Sequence, residues 1–311
     1  MIKKQTTTLL LLIFSTLVHW NNLFAQPFKF TKTTEGISLT EGTHPVYFYQ
    51  QQTKSLDGKY PRANYLHPLY GLNDEVLTED FPADHLHQRG IFWAWHQLIV
   101  DGERIGDGWE CKGIEWNVTS TNTNVDKKAA RLEVAVEWNT IWRGDNITFV
   151  KETTVITTYK TTSDYREMDF DISLTAVGHD VWIGGSEDHK GYSGFSARTI
   201  LPDDIKFRSE KGVLTPTDPA IQVGGWVDMI ATFGETKSGF TMMADTTRMT
   251  SWHGWILRNK KSMQNAAFPG REPFKIAKGE TLTMSYKLII HKADWPLQEI
   301  ESKFKTFIDK K

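Results

Sequence analysis

The chain carries a single cysteine, Cys111, in 311 residues, so no intrachain disulfide is available and packing must hold the fold. With no histidine near it in sequence, that thiol reads as an inert small hydrophobe rather than a nucleophile. There is no Lys/Arg block, and the formal net charge is only -2, which removes the electrostatic footprint of a nucleic-acid partner. Beyond the N-terminus no apolar run is long enough to span a bilayer. A P-loop, a nucleophile-elbow G-x-S-x-G in a fitting context, a dinucleotide fingerprint and a structural-zinc His/Cys spacing are all missing, leaving nicotinamide and haem chemistry unsupported. Fixed-period repeats, low-complexity tracts and Pro/Gly/Ser linkers are missing too, so nothing marks an internal boundary.

The N-terminus itself has the parts of a secretory signal over residues 1–25: Lys3 and Lys4, an apolar stretch from Leu9 to Val18, and a small residue at Ala25. A membrane anchor would need about 20 unbroken apolar residues, and Ser15, Thr16, His19, Trp20, Asn21 and Asn22 interrupt the run. Residues 26–311 are then expected as one β-sandwich domain, periplasmic or in the cell envelope, with no membrane span after cleavage.

What is abundant is aromatic and alternating. Twelve tryptophans and seventeen phenylalanines supply large rings for a β core, with some to spare for stacking on a ligand. Leu132, Val134, Val136 and Trp138 alternate with Arg131, Glu133 and Glu137, the period of a half-buried strand. Met168 to Ala176 and Leu282 to Ile290 repeat it, and the Thr/Val-rich stretch from Ile147 to Tyr159 suits a pleated surface better than a helix. Helical spacing appears only after Pro296, where Leu297, Ile300, Phe304 and Ile308 share a stripe. The expected fold class is therefore all-β, a large antiparallel two-sheet sandwich with one short C-terminal helix.

Chemistry-bearing residues concentrate in two places. Between Arg62 and Glu110 lie His67, Asp84, His85, His87, Arg89, Trp95 and His96, too many polar groups for a dry core, since each buried without a partner would cost about 1 to 3 kcal/mol. If Asp84–Gly90 is extended, His85, His87 and Arg89 project to one side. The His85/His87 pair suits an acid/base couple near neutral pH; the alternative is a divalent metal, with Glu110, His96 or His189 as a third ligand. The second cluster is the glycine-framed run Gly184–Arg198, holding Glu187, Asp188, His189, Tyr192 and Arg198. Weaker signals are Trp252-His253-Gly254-Trp255 and Asn265–Pro269, where rings beside donors are the means by which sugars are held. The two clusters, a hundred positions apart, are expected to meet at one solvent-filled hollow.

Tyr65-Leu66-His67-Pro68-Leu69-Tyr70-Gly71 and Asp84-His85-Leu86-His87-Gln88-Arg89-Gly90, leading into Phe92-Trp93-Ala94-Trp95, resemble the bacterial family known as methane oxygenase PmoA. The likeness extends through Trp252-His253 and Asn265–Pro269, most of the mature chain. Members usually show D-H-P-H-H-R-G, so Leu86 and Gln88 depart from the pattern and weaken any scheme that needs three imidazoles. The resemblance implies a sandwich similar to the galactose mutarotase group, from polysaccharide-degrading bacteria, working on glycosides or their oxidised (keto) forms.

The leading expectation is a carbohydrate-active enzyme that cleaves or isomerises a glycoside, a 3-keto-glycoside among the candidates, by proton transfer. In it His85 or His87 is the base and Glu187 or His189 the acid, while Arg62, Arg89 or His67 steadies an enolate oxygen. Trp95, His96, Glu110, Asp188, Tyr192, Arg198 and His253 complete the expected substrate contacts. No cofactor is required, although a divalent ion at His85/His87 could do the work of the oxyanion donors. A glycan-binding protein without turnover is the first rival, and an iron or copper oxygenase using His85, His87 and one carboxylate is the second.

Overall fold

The computed structural model describes residues 27–309; the signal segment expected over residues 1–25 lies outside them. Among the described residues the chain forms two large antiparallel sheets, a smaller four-stranded sheet and a two-stranded ribbon. The nine-stranded sheet is built around the long strands Ala129–Trp142, Asp145–Tyr159, Tyr165–Ala176 and Thr281–Lys292. Their alternating sequences dictate which way each side chain points: Leu132, Val134, Val136 and Trp138 are all buried, as are Met168, Phe170, Ile172 and Leu174.

The eight-stranded sheet has Tyr65–Leu69, Ile91–Trp95, Ser193–Ala197 and Gln264–Ala267 side by side. Its inner face meets the other sheet through rings. Phe195 stacks on Tyr286 with centroids 4.5 Å apart, and Trp95 lies 5.7 Å from Trp138. Between the sheets sits one carboxylate, Glu152, 1% exposed. It accepts hydrogen bonds from Asn64, Trp93, Trp138 and Thr154 at 2.7 to 3.1 Å, which compensates for its removal from water.

The expected C-terminal helix spans Leu297–Asp309. It lays Ile300 and Phe307 on the outer face of the nine-stranded sheet, over Trp226, Met243 and Ile289. This explains why Thr281–Lys292 is buried on both faces from Met284 to His291, where alternation in sequence showed only one. Beneath the helix, Lys287 lies 2.7 Å from Glu167 and 2.6 Å from Asp169, while Lys303 reaches down to Glu167 at 2.6 Å.

Strand Ile91–Trp95 sets the position of the site. All five residues are buried, but alternate members face opposite ways. Trp93 and Trp95 join the core between the sheets. Phe92 and Ala94 point outward and pack with Tyr65, Trp109 and Met263, forming the floor of a surface pocket.

Candidate functional site

The pocket has a volume of about 330 Å³, at the small end of the roughly 300–1,000 Å³ usual for small-molecule sites. Three loops enclose it. The segment Asp84–Gly90 is not extended: the His85 amide donates to Pro82 O at 3.0 Å and the Gln88 amide to His85 O at 2.9 Å, so two successive turns fold it up. As a result His85 and His87 line the pocket together, their rings perpendicular with centroids 5.7 Å apart, while Arg89 turns away and is fully buried.

Two Asp–His pairs reach the pocket. His85 Nδ1 donates to Asp84 at 2.9 Å, and His96 Nδ1 donates to Asp107 at 3.0 Å. An ionised carboxylate only accepts, so each neutral ring carries its proton on Nδ1 and keeps Nε2 as the basic atom. Burial works against ionisation of Asp84, but Arg198, His85 and the Ser262 amide outweigh it and hold the carboxyl well below the usual range. At Asp107 burial is likewise overcome by His96 and the Glu110 amide, and its pKa is lowered. His87 differs. Burial, followed by its neighbours His85, Arg62 and His96, pushes it down to about 3, so it is a neutral imidazole at pH 7, its Nδ1 3.4 Å from Glu110.

The loop Asp107–Lys112 is closed by reciprocal backbone bonds of 2.8 Å between its ends. Asp107 uses one oxygen for His96 and the other to accept the Glu110 amide at 2.9 Å. Trp109 is thereby set against His96, rings 5.2 Å apart and 21° from parallel, and 5.6 Å from Tyr192. The third loop, around residues 258–263, is pinned by Asp84, which accepts the Ser262 amide at 2.7 Å, and by Arg198, which donates to Ser262 O.

The glycine-framed run does meet the histidine loop, through different residues than expected. Lys190 and Tyr192 line the pocket, whereas Glu187 is paired outward with Arg104 at 2.7 Å and His189 is paired with Asp218, both exposed. Asp188 shapes the turn, accepting from Ser186 at 2.7 Å and the Lys190 amide at 3.1 Å. His253 props it from below, Nε2 donating to Lys190 O at 3.0 Å.

Of the remaining expected contacts, His96 and Glu110 line the pocket. Trp95 is in the core, its indole N–H donating to Phe268 O at 2.8 Å. Arg62 is buried between Phe92 and Trp116 and donates to Gly108 O. Arg89 lies over the Phe81 ring beside Asp80. His67 is held by Thr78 at 3.0 Å, and burial lowers its pKa. Arg198 is a buried tie joining Glu79, Asp84, Gln88 and Ser262. These five side chains brace the site or the core and do not line the pocket. Asp107, Trp109, Lys190, Arg258, Lys260, Lys261 and Met263 had not been singled out; Asp107, Trp109 and Lys190 lay in stretches already marked, and the other four did not.

Among the described residues no group of three or more His, Cys, Asp or Glu side chains is arranged to hold a metal ion. His85 and His87 each turn Nδ1 to a carboxylate, which leaves Nε2 as the free donor of each ring, but no third ligand is grouped with them among the described residues.

A model described as a family of unknown function (DUF6807) matches residues 36–305. No curated protein matches the chain. Solved structures similar to it include a heparinase III, 9% identical with a TM-score of 0.36, covering 86% of this chain and 35% of that one. An α-galactosidase from Lactobacillus brevis is 9% identical with a TM-score of 0.33, covering 86% of this chain and 39% of that one. A putative mutarotase from Salmonella typhimurium is 9% identical with a TM-score of 0.32, covering 86% and 94%. The chain thus spans less than half the length of the first two.

Proposed function

The chain belongs to the DUF6807 family, and we propose that it is a carbohydrate-active enzyme that cleaves or isomerises a glycoside by proton transfer in the pocket between His85, His96 and Glu110. The observation that carries this reading is the pair of aspartate-oriented imidazoles lining one small pocket beside Trp109 and Tyr192. Rings offer a sugar its apolar face while fixed polar groups meet its hydroxyls.

A 3-keto-glycoside suits an imidazole base because the carbonyl acidifies the hydrogen on the neighbouring carbon. His85 takes that proton at Nε2, and the electron pair passes to the carbonyl oxygen as an enolate, steadied by the Lys190 ammonium. Collapse of the enolate expels the glycosidic oxygen, which takes a proton from Glu110 in its acid form or His96 in its imidazolium form and leaves an unsaturated ketone. Addition of water completes hydrolysis, whereas returning the proton to the opposite face gives the epimer. The acid role considered for Glu187 or His189 passes to Glu110 and His96, which line the pocket where the other two do not.

Export to the periplasm or cell envelope is part of this reading and rests on residues 1–25. One apolar cluster running through both large sheets supports taking residues 26–311 as one domain. The oxygenase reading needs a third ligand beside His85 and His87, and among the described residues no such group of three is assembled.

Incubation with a panel of glycosides and their 3-keto forms, followed by mass spectrometry, tests the proposal. Consumption of a 3-keto-glycoside is expected. Tight binding with no product across the panel would transfer the assignment to a glycan-binding protein.

A further inference from the structure

The pocket lining is electrically lopsided. Lys190, Arg258, Lys260 and Lys261 face it against one carboxylate, Glu110. The nearby Asp84 and Asp107 do not balance these cations, being committed to Arg198 and His85 and to His96 and the Glu110 amide.

Two of the four cations already have partners. Arg258 donates Nε to the Tyr192 hydroxyl at 2.9 Å and its other N–H groups to Thr217 O, Leu257 O and Asp218 O, so it braces Tyr192 and contributes charge at a distance. Lys190 lies 3.8 Å from both Asp188 and Asp218. Lys260 and Lys261 are different: among the described residues neither ammonium has a hydrogen bond or ion pair. Their loop is nonetheless built. Lys261 and Ser262 take left-handed φ values of 58° and 67°, disfavoured for residues with side chains and kept only where surroundings impose them. Here Asp84 and Arg198 impose them, gripping the Ser262 amide and carbonyl. Under the opposite loop Arg62, 1% exposed, has no ion-pair partner among the described residues, and its field adds to that of the lysines in a site walled by low-dielectric rings.

We infer that the ligand carries an anionic substituent, a carboxylate or a sulfate on the sugar, seated against Lys260 and Lys261. This rests on the carbohydrate reading above and narrows it to acidic glycosides. A uronide would present its carboxylate to the two ammonium groups while the ring lies along Trp109 and Tyr192.

The test is calorimetric titration with methyl β-D-glucuronide, methyl β-D-glucoside and methyl β-D-glucoside 6-sulfate, at low and high salt. One or both charged probes should bind about five- to tenfold tighter than the neutral one at low salt, the worth of two partly exposed ion pairs. The advantage should shrink at high salt, and whichever charged probe leads identifies the substituent. In the Lys260→Gln/Lys261→Gln double variant the charged-to-neutral ratio should fall to about one. Neutral binding as tight as charged, or a preference that survives in the double variant, overturns the inference while leaving the sugar reading intact. Failure of all three probes to bind overturns both.

Discussion

Asp84 accepts the His85 Nδ1–H at 2.9 Å with the same oxygen that accepts the Ser262 amide at 2.7 Å. One carboxylate atom therefore couples the proposed base to the loop carrying Lys260 and Lys261. Arg198 completes the arrangement with bonds to both Asp84 oxygens, 2.7 and 3.0 Å long. Orientation of the imidazole and shape of the pocket are thus two consequences of one ion pair between a buried Arg198 and Asp84.

His85→Gln should lower turnover by about 10²- to 10⁴-fold, the usual worth of a positioned base, with ligand affinity changed far less. Steady-state kinetics beside calorimetry on the same preparation checks this. Equal losses in both would make His85 a binding residue.

Acid should act on stability first through His87. Its folded pKa of about 3 lies below the unfolded value, so between about pH 6.5 and pH 3 the unfolded chain holds a proton that the folded one does not, and stability falls as pH falls. From pH 7 to pH 5 this amounts to on the order of 2 kcal/mol. Urea titrations should show His87→Gln losing that much less than wild type over the same interval. Asp84 and Asp228 are lowered in the fold as well, so they too lose stability as pH falls, but from a lower unfolded value. Their contribution is present above about pH 4 and is lost only as pH falls below that, so the two windows separate.

Glu152→Gln should destabilise the fold by about 2 to 4 kcal/mol. The amide nitrogen of glutamine would replace one oxygen and face an indole N–H of Trp93 or Trp138, donor against donor. Denaturant midpoints check this, and turnover per folded molecule should be unaltered because Glu152 does not line the pocket.

Gly191→Ala should weaken ligand binding as well as stability. Gly191 has φ of +67°, and an added Cβ would lie 2.9 Å from His253 Nε2, so the ring that supports Lys190 must move. A loss of about 1 to 3 kcal/mol is expected from the strained backbone. Calorimetry with any bound glycoside should show lowered affinity, whereas Gly144→Ala, in an open turn with nothing within 4 Å, should leave it unaltered.

The sheets were legible where one face is apolar and the other polar, as in Ala129–Trp142, because period-two alternation records burial directly. It is silent where both faces are covered. Ile91–Trp95 reads as continuous apolar sequence, so nothing local told that Trp95 faces the core while Phe92 underlies the pocket. The meeting of two distant clusters was partly visible in composition, whereas the turns of Asp84–Gly90 were not, its sequence being read as extended. The Arg258–Met263 wall was not, because its link to the histidine loop spans 174 residues, from Gln88 to Ser262, and long-range pairing leaves no local trace. Arg62, Arg89 and Arg198 looked like ligand contacts for a related reason: residue type shows that a cation needs partners, not which side of a sheet supplies them.

The most direct measurement is exchange at the carbon beside the carbonyl, by incubating a 3-keto-glycoside with the protein in D₂O and reading isotope content by mass spectrometry. Deuterium should enter that position with wild type and fail to do so with His85→Gln. Product formed without such incorporation, or incorporation equally fast in His85→Gln, would contradict proton removal by this imidazole.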